Sequence, residues 1–428
     1  MGGPDTSFRE RMSQPTPRTS PLAVFKNRSF TRLWTGQLVS TAGDALTALA
    51  AGVLVYRLTG SALSVGLMLM ATSLPSLLLG LFGGVVADRY DRKRLLVVSC
   101  LVQALFVGLI PLLIPYGLGW LYLLVGLSSC ARQFYAPAYE SVLPELARDE
   151  ELVAANSLMS ISNVGATALG YAAAGLLAAR LSLGWVFALD ALTFVFAAGC
   201  LAGIAVRPHE RGGAAPPHIL HDMRVGLGYL FGHRTLRALQ GVGLGLGVVA
   251  GVINTLTLPF TLSVLGASET VFGMQEALTA VGFTLGSLVM ATFAARFPER
   301  VWLATSTIGL GVAALLYALS DAVPLAVVLF TVVGVFNAPA TIAIRTLFQR
   351  HTPAALRGRV IGAYFVGVEG ALVLGMGAGG LADVFGVRTL LVLAGLITLG
   401  LGIVAALLPG LKHAPEREAT REAAAEPS

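Results

Sequence analysis

Apolar segments of about 20 residues alternate with short polar segments along most of the chain. A helix of that length crosses a hydrocarbon layer about 30 Å thick. The pattern therefore predicts a membrane protein built of helices, six before a longer polar segment and six after it. The predicted spans are residues 33–56, 62–87, 95–114, 119–142, 152–179, 183–206, 239–265, 270–294, 301–319, 324–347, 360–382 and 390–408.

The polar segments divide the chain into five parts. These are an N-terminal tail (1–30), a first six-helix lobe (31–206), a linker (207–237), a second six-helix lobe (238–411) and a C-terminal tail (412–428). Within the linker, residues 218–231 fit either an amphipathic helix on the membrane surface or a plain connection.

Composition excludes a soluble protein. Hydrophobic residues fill 55% of the 428 positions, and the charged fraction of 12% is about half of what a soluble domain carries. The 50 glycines favour close contacts between helices in a bilayer. Cys100, Cys130 and Cys200 lie in apolar segments at spacings that suit neither disulfides nor metal ligation, so we expect no metal and no cofactor.

Membrane topology explains the net charge of +6. In the twelve-helix arrangement almost all lysines and arginines fall on the side of the two termini, and only Arg57, Arg180 and Arg388 fall on the other side. Basic residues concentrate on the cytoplasmic side of membrane proteins. We therefore expect a multi-pass protein of the cell's inner (plasma) membrane with both termini in the cytoplasm, and no nucleic-acid partner.

The two halves of the chain repeat short motifs in the same order. Phe134–Ala138 (FYAPA), near the end of the fourth predicted helix, recurs as Phe336–Ala340 (FNAPA) near the end of the tenth. Val65-Gly66 in the second helix corresponds to Phe272-Gly273 in the eighth. Motifs repeated at matching positions indicate a duplicated six-helix unit, as in many membrane transporters.

Ionisable side chains inside the predicted spans are candidate functional residues, because each costs about 2.5 to 3.5 kcal/mol at the membrane centre. Asp44 lies near mid-membrane in the first helix with Gln37 on the same face, and Glu369 reaches a similar depth in the eleventh. A carboxyl group in a cavity that opens to either side can take up and release a proton. For both acids the alternative is a structural role satisfied by neighbouring groups.

Three other polar residues are candidates for the cavity. Arg132 in the fourth helix is a possible cationic partner of such an acid. Asn254 in the seventh helix and Glu276 in the eighth offer polar contacts, with ordinary packing as the alternative.

The turn between the second and third predicted helices reads Gly-Gly-Val-Val-Ala-Asp-Arg-Tyr-Asp-Arg-Lys-Arg, from Gly83 to Arg94. This spacing resembles the loop signature of the major facilitator superfamily. Leu33–Gln37, Ser40–Asp44 and Leu143–Leu146 are similar to the drug and siderophore exporter branch, with the macrolide exporters and the enterobactin exporter. The resemblance implies an all-α integral membrane fold of twelve transmembrane helices in two pseudo-symmetric six-helix lobes.

The resemblance also implies roles for particular residues. When the cytoplasmic side is closed, a conformational latch is expected between the second helix and the start of the eleventh, near Gly358. The latch residues are Gly84, Asp88, Arg89 and Arg92. The alternative is that these charges only fix the topology. Helices one, four, seven and ten of the superfamily line the central cavity, which places Asp44 beside the substrate and helix six, with Asp190, outside the cavity.

Three positions depart from the family pattern. Ala295 stands where the mirrored loop of the second half would carry an acid, so a second latch should be weaker or absent. Tyr171 follows Gly170 where the exporters carry proline, which leaves the bend of the fifth helix open. Arg132 lies about one turn beyond Ser128, the position of the helix-four arginine of macrolide exporters, so the resemblance leaves its role open.

We expect a secondary active transporter that couples proton entry to export of a lipophilic or amphipathic small molecule, a drug or siderophore-like metabolite, by alternating access. The chain has no Gly-x-x-x-x-Gly-Lys-Ser/Thr segment for ATP and no histidine cluster or Ser-His pair typical of an enzyme. The expected partners are the substrate, protons and the lipid bilayer, and the expected state is a monomer. A proton-coupled uptake symporter and a lipid-handling or nontransporting membrane protein of the same fold stay open as alternatives.

Overall fold

Long helices joined by short turns form the chain in this computed structural model. The structure describes residues 21–87, 89–148, 151–206 and 219–408, and no strand occurs within those ranges. The two predicted tails fall largely outside them, as do part of the predicted linker and Asp88 of the predicted latch.

Fourteen α-helices follow one another in the described residues. In chain order they are α1 (Arg28–Thr59), α2 (Ala62–Ala87), α3 (Arg92–Leu113), α4 (Leu118–Leu146), α5 (Leu152–Arg180), α6 (Leu183–Ala202), α7 (Ile219–Gly232), α8 (Arg234–Pro259), α9 (Glu269–Phe293), α10 (Glu299–Leu319), α11 (Val323–Arg350), α12 (Arg357–Met376), α13 (Gly379–Phe385) and α14 (Val387–Leu407).

Twelve crossings of the membrane are confirmed. Eleven of the described segments are long and apolar enough to span, with α12 and α13 together counting as one of them. The twelfth crossing is α4, which has 29 residues and packs along α2 and α3. Its apolarity is reduced by Arg132, Glu140 and Glu145. The helix that is least like a membrane span therefore carries polar groups of the candidate site.

Local capping explains where the first span begins and ends. The side-chain oxygen of Asn27 accepts hydrogen bonds from the Ser29 amide at 2.9 Å and from the Phe30 amide at 3.4 Å. Gly60 ends α1 at φ +63°, a left-handed conformation that glycine adopts without strain, and its N–H donates to the Tyr56 carbonyl at 2.8 Å. The chain can therefore reverse in a very short turn and enter α2.

The two lobes repeat the same helix packing. In the first lobe, α1 packs against α5 and α6, α3 packs against α4 and α6, and α2 packs against α4. In the second lobe, the corresponding pairs are α8 with α12 and α14, α10 with α11 and α14, and α9 with α11. The repeated packing confirms the two pseudo-symmetric lobes that the duplicated motifs predicted.

The linker contains a helix, α7, which matches one of the two interpretations of residues 218–231. An ion pair anchors it to the start of α12, with Asp222 Oδ1 2.7 Å from Arg359 Nε. Gly226 brings the two backbones together, because a Cβ at that position would collide with the Arg359 carbonyl. The linker helix is thus attached to the second lobe.

The lobes separate on one side of the membrane and meet on the other. We call the face where α1 begins and α14 ends the terminal face, and the other the opposite face. In the terminal half, one buried core is built from residues 24–204 and another from residues 230–405. In the opposite half, Leu258 and Phe272 join the first-lobe core, and Ala62 joins the second-lobe core. The molecule is therefore closed at the opposite face.

Charged contacts hold this closure together. Arg57 Nη2 at the end of α1 lies 2.5 Å from Glu269 Oε1 at the start of α9. The Asp383 carboxylate of α13 accepts hydrogen bonds from the Ser61 hydroxyl at 2.6 Å and from the backbone amides of Ala62 at 2.7 Å and Leu63 at 3.2 Å. A carboxylate of the second lobe therefore caps the positive N-terminus of α2 in the first lobe.

We expect Asp383→Ala to open the opposite face. Loss of a helix cap costs about 1 to 2 kcal/mol, so the ratio of closed to open molecules should fall about 5- to 30-fold. Tyr116 and Leu319 are exposed on the two lobes at this face. The distance between spin labels at these two positions should therefore lengthen in the variant. Asp321→Ala is the matched control, because Asp321 pairs with Arg388 inside the second lobe at 2.5 Å. Equal distance distributions in Asp383→Ala and the control would contradict the assigned role.

Candidate functional site

A cavity of about 380 Å³ lies at mid-height of the first lobe and is bordered on one side by α12 of the second. Its charged lining residues are Asp44, Arg132, Asp190 and Glu369. A second cavity of about 200 Å³ shares Asp44 and Arg132 with the first and passes Tyr139 and Glu140, which lie toward the terminal end of α4. Together the cavities lead from mid-membrane toward the terminal face, where the lobe cores are separate.

Asp44 and Arg132 form an ion pair where the two cavities meet. Arg132 Nη1 lies 3.3 Å from Asp44 Oδ2. Asp44 is at the middle of α1, and Arg132 is at the middle of α4. Because 60% of the Arg132 side chain and 28% of the Asp44 side chain are exposed, cavity water reaches both. A wet ion pair is held more weakly than a dry one, so Arg132 can exchange partners.

Gln37 lies on α1 between Asp44 and the terminal face. Its side-chain carbonyl accepts a hydrogen bond from the Tyr135 hydroxyl of α4 at 2.7 Å, and its amide donates to Thr41 Oγ1 at 3.1 Å. The Thr41 hydroxyl in turn lies 3.5 Å from Asn163 Oδ1 of α5. This network joins α1, α4 and α5 of the first lobe on the terminal-face side of the ion pair.

Glu369 brings a second predicted acid to the same cavity from the other lobe. It lies on α12, and its Oε1 accepts a hydrogen bond from the Ser76 hydroxyl of α2 at 2.8 Å. Since α2 and α12 belong to different lobes, this hydrogen bond links them at mid-membrane. Rocking of the lobes would therefore change the surroundings of Glu369.

Asp190 lines the cavity too, which corrects the expectation that helix six lies outside it. It is fully buried, and its Oδ1 accepts a hydrogen bond from the Thr193 hydroxyl at 3.0 Å. The physical reason is Gly43 on α1, where a Cβ would collide with Asp190 and Thr193. Gly43 lets α6 approach beside Asp44. The sequence does show Asp190 as a carboxyl group within an apolar span, which is costly in a membrane. It does not show that α6 lies close enough to α1 for Asp190 to reach the cavity.

Asn254 and Glu276 lie apart from this constellation. Neither lines the two cavities, and Asn254 of α8 is exposed. Glu276 is partly buried on α9, seven residues after Glu269. It therefore lies about 10 Å from the N-terminus of that helix, which is at the opposite face. Within the described ranges, no group of three His, Cys, Asp or Glu side chains is placed to hold a metal ion.

Of the predicted latch residues that the structure describes, Arg92 makes a charged contact inside its own lobe in this conformation. Gly83, rather than Gly84, meets a neighbour closely, because a Cβ there would collide with the Gln133 carbonyl of α4. Among the described residues, a Cβ at Gly84 would meet none within 4 Å. Arg92 pairs with Glu145 at the end of α4, and Arg89 is exposed. The latch stays a prediction for the conformation in which the terminal face is closed.

We expect Tyr135→Phe and Tyr139→Phe to differ in stability although their rings stack 6.1 Å apart. Tyr135→Phe removes the hydrogen bond to Gln37 and should lower the free energy of unfolding by about 1 kcal/mol. The Tyr139 hydroxyl is buried without a hydrogen-bond partner in the described part of the chain, so its removal should be neutral or stabilising. Thermal unfolding followed by tryptophan fluorescence compares the two; equal losses would contradict the proposed network.

Comparison with known proteins identifies the family. The profile of the MFS_3 family, described as transmembrane secretion effector, matches residues 19–427. The multidrug efflux pump Tap of Mycolicibacterium fortuitum is 30% identical over 399 residues, which cover 88% of this chain and 94% of Tap. Macrolide efflux protein A of Streptococcus pyogenes is 26% identical over 288 residues, covering 65% of this chain and 70% of that protein.

The fold is shared with solved transporters. The crystal structure of the nucleoside transporter NupG superposes with a TM-score of 0.74 at 13% sequence identity, covering 88% of this chain and 98% of NupG. At that identity the likeness concerns the fold alone. The family profile covers nearly the whole chain, including all twelve crossings. The chain therefore belongs to the major facilitator superfamily of membrane transporters, in its transmembrane secretion effector family.

Proposed function

We propose that the chain is a proton-coupled exporter of lipophilic or amphipathic small molecules that works by alternating access. The observation that carries this proposal is the Asp44–Arg132 ion pair, 3.3 Å apart, facing a cavity at mid-membrane. Charged groups are costly in the hydrocarbon region and are found there mainly along the paths of ions and substrates.

The substrate class is supported by the cavity walls and by the relatives. Ala48, Ala51, Met68, Leu69 and Val107 give the larger cavity an apolar lining beside its few charges. Its volume of about 380 Å³ lies in the range of small-molecule pockets. The names of the relatives, a multidrug efflux pump and a macrolide efflux protein, agree with such a cargo. We therefore propose drug-like molecules rather than sugars or phosphates.

Orientation follows from the basic residues. Those between α2 and α3 and at the start of α8 lie at the terminal face, which the positive-inside rule assigns to the cytoplasm. In that orientation the conformation described here faces inward and can load substrate from the cytoplasm or the inner leaflet. We further propose that the protein lies in the plasma membrane and acts as a monomer, because one chain encloses the whole cavity.

In the proposed cycle, protons and substrate use the cavity in turn. Substrate enters from the terminal face while a proton leaves toward the same side, and the lobes then rock. At the opposite face, substrate departs and a proton from outside binds a cavity acid. A protonated Asp44 no longer attracts Arg132 by charge, so the ion pair opens and closes with the proton. Each turn moves a proton inward and a substrate outward.

Proteoliposomes with the terminal face outward test the proposal. With an acidic lumen, the wild type should accumulate a fluorescent lipophilic cation or a macrolide, and a protonophore should abolish the accumulation. Substrate leaving the lumen together with protons would instead indicate an uptake symporter. Ligand binding without any proton-dependent flux would indicate a nontransporting protein. Either result would overturn the proposal.

The Glu369→Gln variant asks whether this second acid also carries protons. Glutamine keeps a carbonyl oxygen to accept the Ser76 hydrogen bond, so the change removes titration while leaving the contact between lobes possible. Slower gradient-driven accumulation in Glu369→Gln, with unchanged substrate binding, would support a proton role. Unchanged accumulation would indicate that only the acids of the first lobe carry the proton.

A further inference from the structure

The two cavities differ in the side chains that line them. Met68, Leu69 and Val107 are part of an apolar wall in the larger cavity. Most of the residues that line only the smaller cavity, of about 200 Å³, have polar side chains. These polar residues are Gln37, Ser40, Tyr135, Tyr139, Glu140 and Asn163. A molecule that fills both cavities would therefore fit best with an apolar part in the larger one and a polar part in the smaller one.

The smaller cavity also holds an acid that is not paired in the described residues. Among the described residues that line the two cavities, Arg132 is the only basic one, and it is paired with Asp44 at 3.3 Å. Glu140 is exposed and makes no ion pair or hydrogen bond within the described part of the chain. Because the Asp44–Arg132 pair is neutral, the Glu140 carboxylate leaves the smaller cavity with a net negative charge, which attracts a cation.

Two aromatic rings line the cavity near this acid. Tyr135 and Tyr139 lie on α4, as Glu140 does, and their rings stack 6.1 Å apart with 16° between the ring planes. The face of an aromatic ring attracts a cation, and this attraction is a common basis for binding organic ammonium groups. A metal ion needs several ligands around one point, and no group of three His, Cys, Asp or Glu is placed to hold one in the described ranges. An acid beside aromatic rings therefore fits an organic ammonium group.

The position of Glu140 keeps such a charge close to water. It lies eight residues after Arg132 on α4, which is about 12 Å nearer the terminal face. A charge at the middle of the membrane is costly. An ammonium group at Glu140 avoids that cost, while an apolar body attached to it can extend past Arg132 into the larger cavity.

We propose that the smaller cavity is a subsite for the ammonium head of an amphipathic substrate, with Glu140 and the Tyr139 ring as its contacts and the larger cavity holding the apolar body. The subsite rests on the proposed export of amphipathic molecules and adds to it the charge of the substrate and the direction in which it binds. The apolar body enters first from the terminal face, and the head follows. Amphipathic amines are then preferred over neutral molecules of similar size.

Two fluorescent probes that differ in charge test the subsite. One is a dansyl group carrying a pentylammonium tail, and the other is the same molecule with its amine acetylated. Dansyl fluorescence rises in apolar surroundings, so titration of the purified full-length protein in detergent gives a dissociation constant for each probe. The wild type should bind the amine about tenfold more tightly than the acetylated probe, with about fourfold from the exposed ion pair and about threefold from the aromatic ring.

Glu140→Gln should remove the larger part of this preference. Glutamine keeps the size of the side chain but not its charge, so the ratio of the two dissociation constants should fall to about threefold, with the acetylated probe bound as in the wild type. Glu145→Gln is the matched control, because Glu145 is the next acid on α4, pairs with Arg92 and lines neither cavity. Its ratio should equal that of the wild type.

The aromatic ring is tested in the same way. Tyr139→Leu should lower the ratio to about fourfold, whereas Tyr139→Phe keeps the ring and should keep the ratio near about tenfold. A wild type that binds both probes equally or fails to bind the amine would overturn the proposal. So would an unchanged ratio in Glu140→Gln, or an equal loss of affinity for both probes, because the role would then be structural. Preferential binding of the amine without proton-driven transport of either probe would instead refute the proposed proton-coupled export.

Discussion

Asp44→Asn should abolish gradient-driven export while leaving a folded protein. Asparagine has the shape of aspartate but cannot carry the charge, so Arg132 loses the partner that lies 3.3 Å away. An uncompensated charge left in the membrane region is more costly than the pair. Because cavity water screens part of that cost, we expect correct insertion and a fall in proton-driven accumulation of more than about tenfold.

A double-variant cycle separates charge balance from transport. Asp44→Asn leaves Arg132 unpaired, Arg132→Gln leaves Asp44 unpaired, and the combination removes both charges. The combined variant should recover the thermal stability lost in the single variants, since no unpaired charge is left. It should not recover transport. Asp321→Asn is the control for removal of an acid outside the cavity. Full gradient-driven accumulation in Asp44→Asn would contradict the role given to this pair.

Gly175→Val should prevent closure of the opposite face and stop transport. On α5, Gly175 meets α9 of the second lobe so closely that a Cβ would lie 2.7 Å from the Glu269 carbonyl oxygen and 3.0 Å from the Gly273 Cα. The Thr270 hydroxyl donates to the Gly175 carbonyl at 3.2 Å across the same contact. These are backbone neighbours, which cannot yield as a flexible side chain would.

The size of this effect follows from the cost of overpacking, about 1 to 3 kcal/mol. That cost should reduce the population closed at the opposite face by about 5- to 150-fold. Spin-label distances between Tyr116 and Leu319 should lengthen, and export should slow by more than about tenfold. Gly165→Val is the matched control on α5, because a Cβ there meets no described atom within 4 Å. Equal behaviour of the two variants would contradict an interface that must open and close.

The membrane spans are predictable from sequence because the bilayer imposes a length and a composition on every crossing. The first span was predicted at residues 33–56 and the helix covers Arg28–Thr59. The difference arises at the ends, where Asn27 and Gly60 set the limits by hydrogen bonding rather than by hydrophobicity. The eleventh span, predicted as one helix, divides after Met376 into α12 and α13.

The candidate site was predictable only in part. Asp44 and Glu369 could be selected because a carboxyl group is costly in an apolar helix, and the structure places both at one cavity. The position of Asp190 depends on how closely α6 approaches α1 at Gly43. That distance is set by the packing of the two helices, so the sequence of either helix alone does not predict it. The same is true of Gly83, whose close contact with α4 depends on how the two helices pack.

The central claim is that one cavity exchanges protons for substrate, and substrate-driven proton movement tests it most directly. Proteoliposomes with the terminal face outward carry a pH-sensitive dye in the lumen and start with equal pH on both sides. Adding a transported macrolide or lipophilic cation outside should make the lumen more alkaline, because substrate enters as protons leave, and Asp44→Asn should not respond. Substrate uptake without a change in lumen pH, or with acidification, would contradict the account.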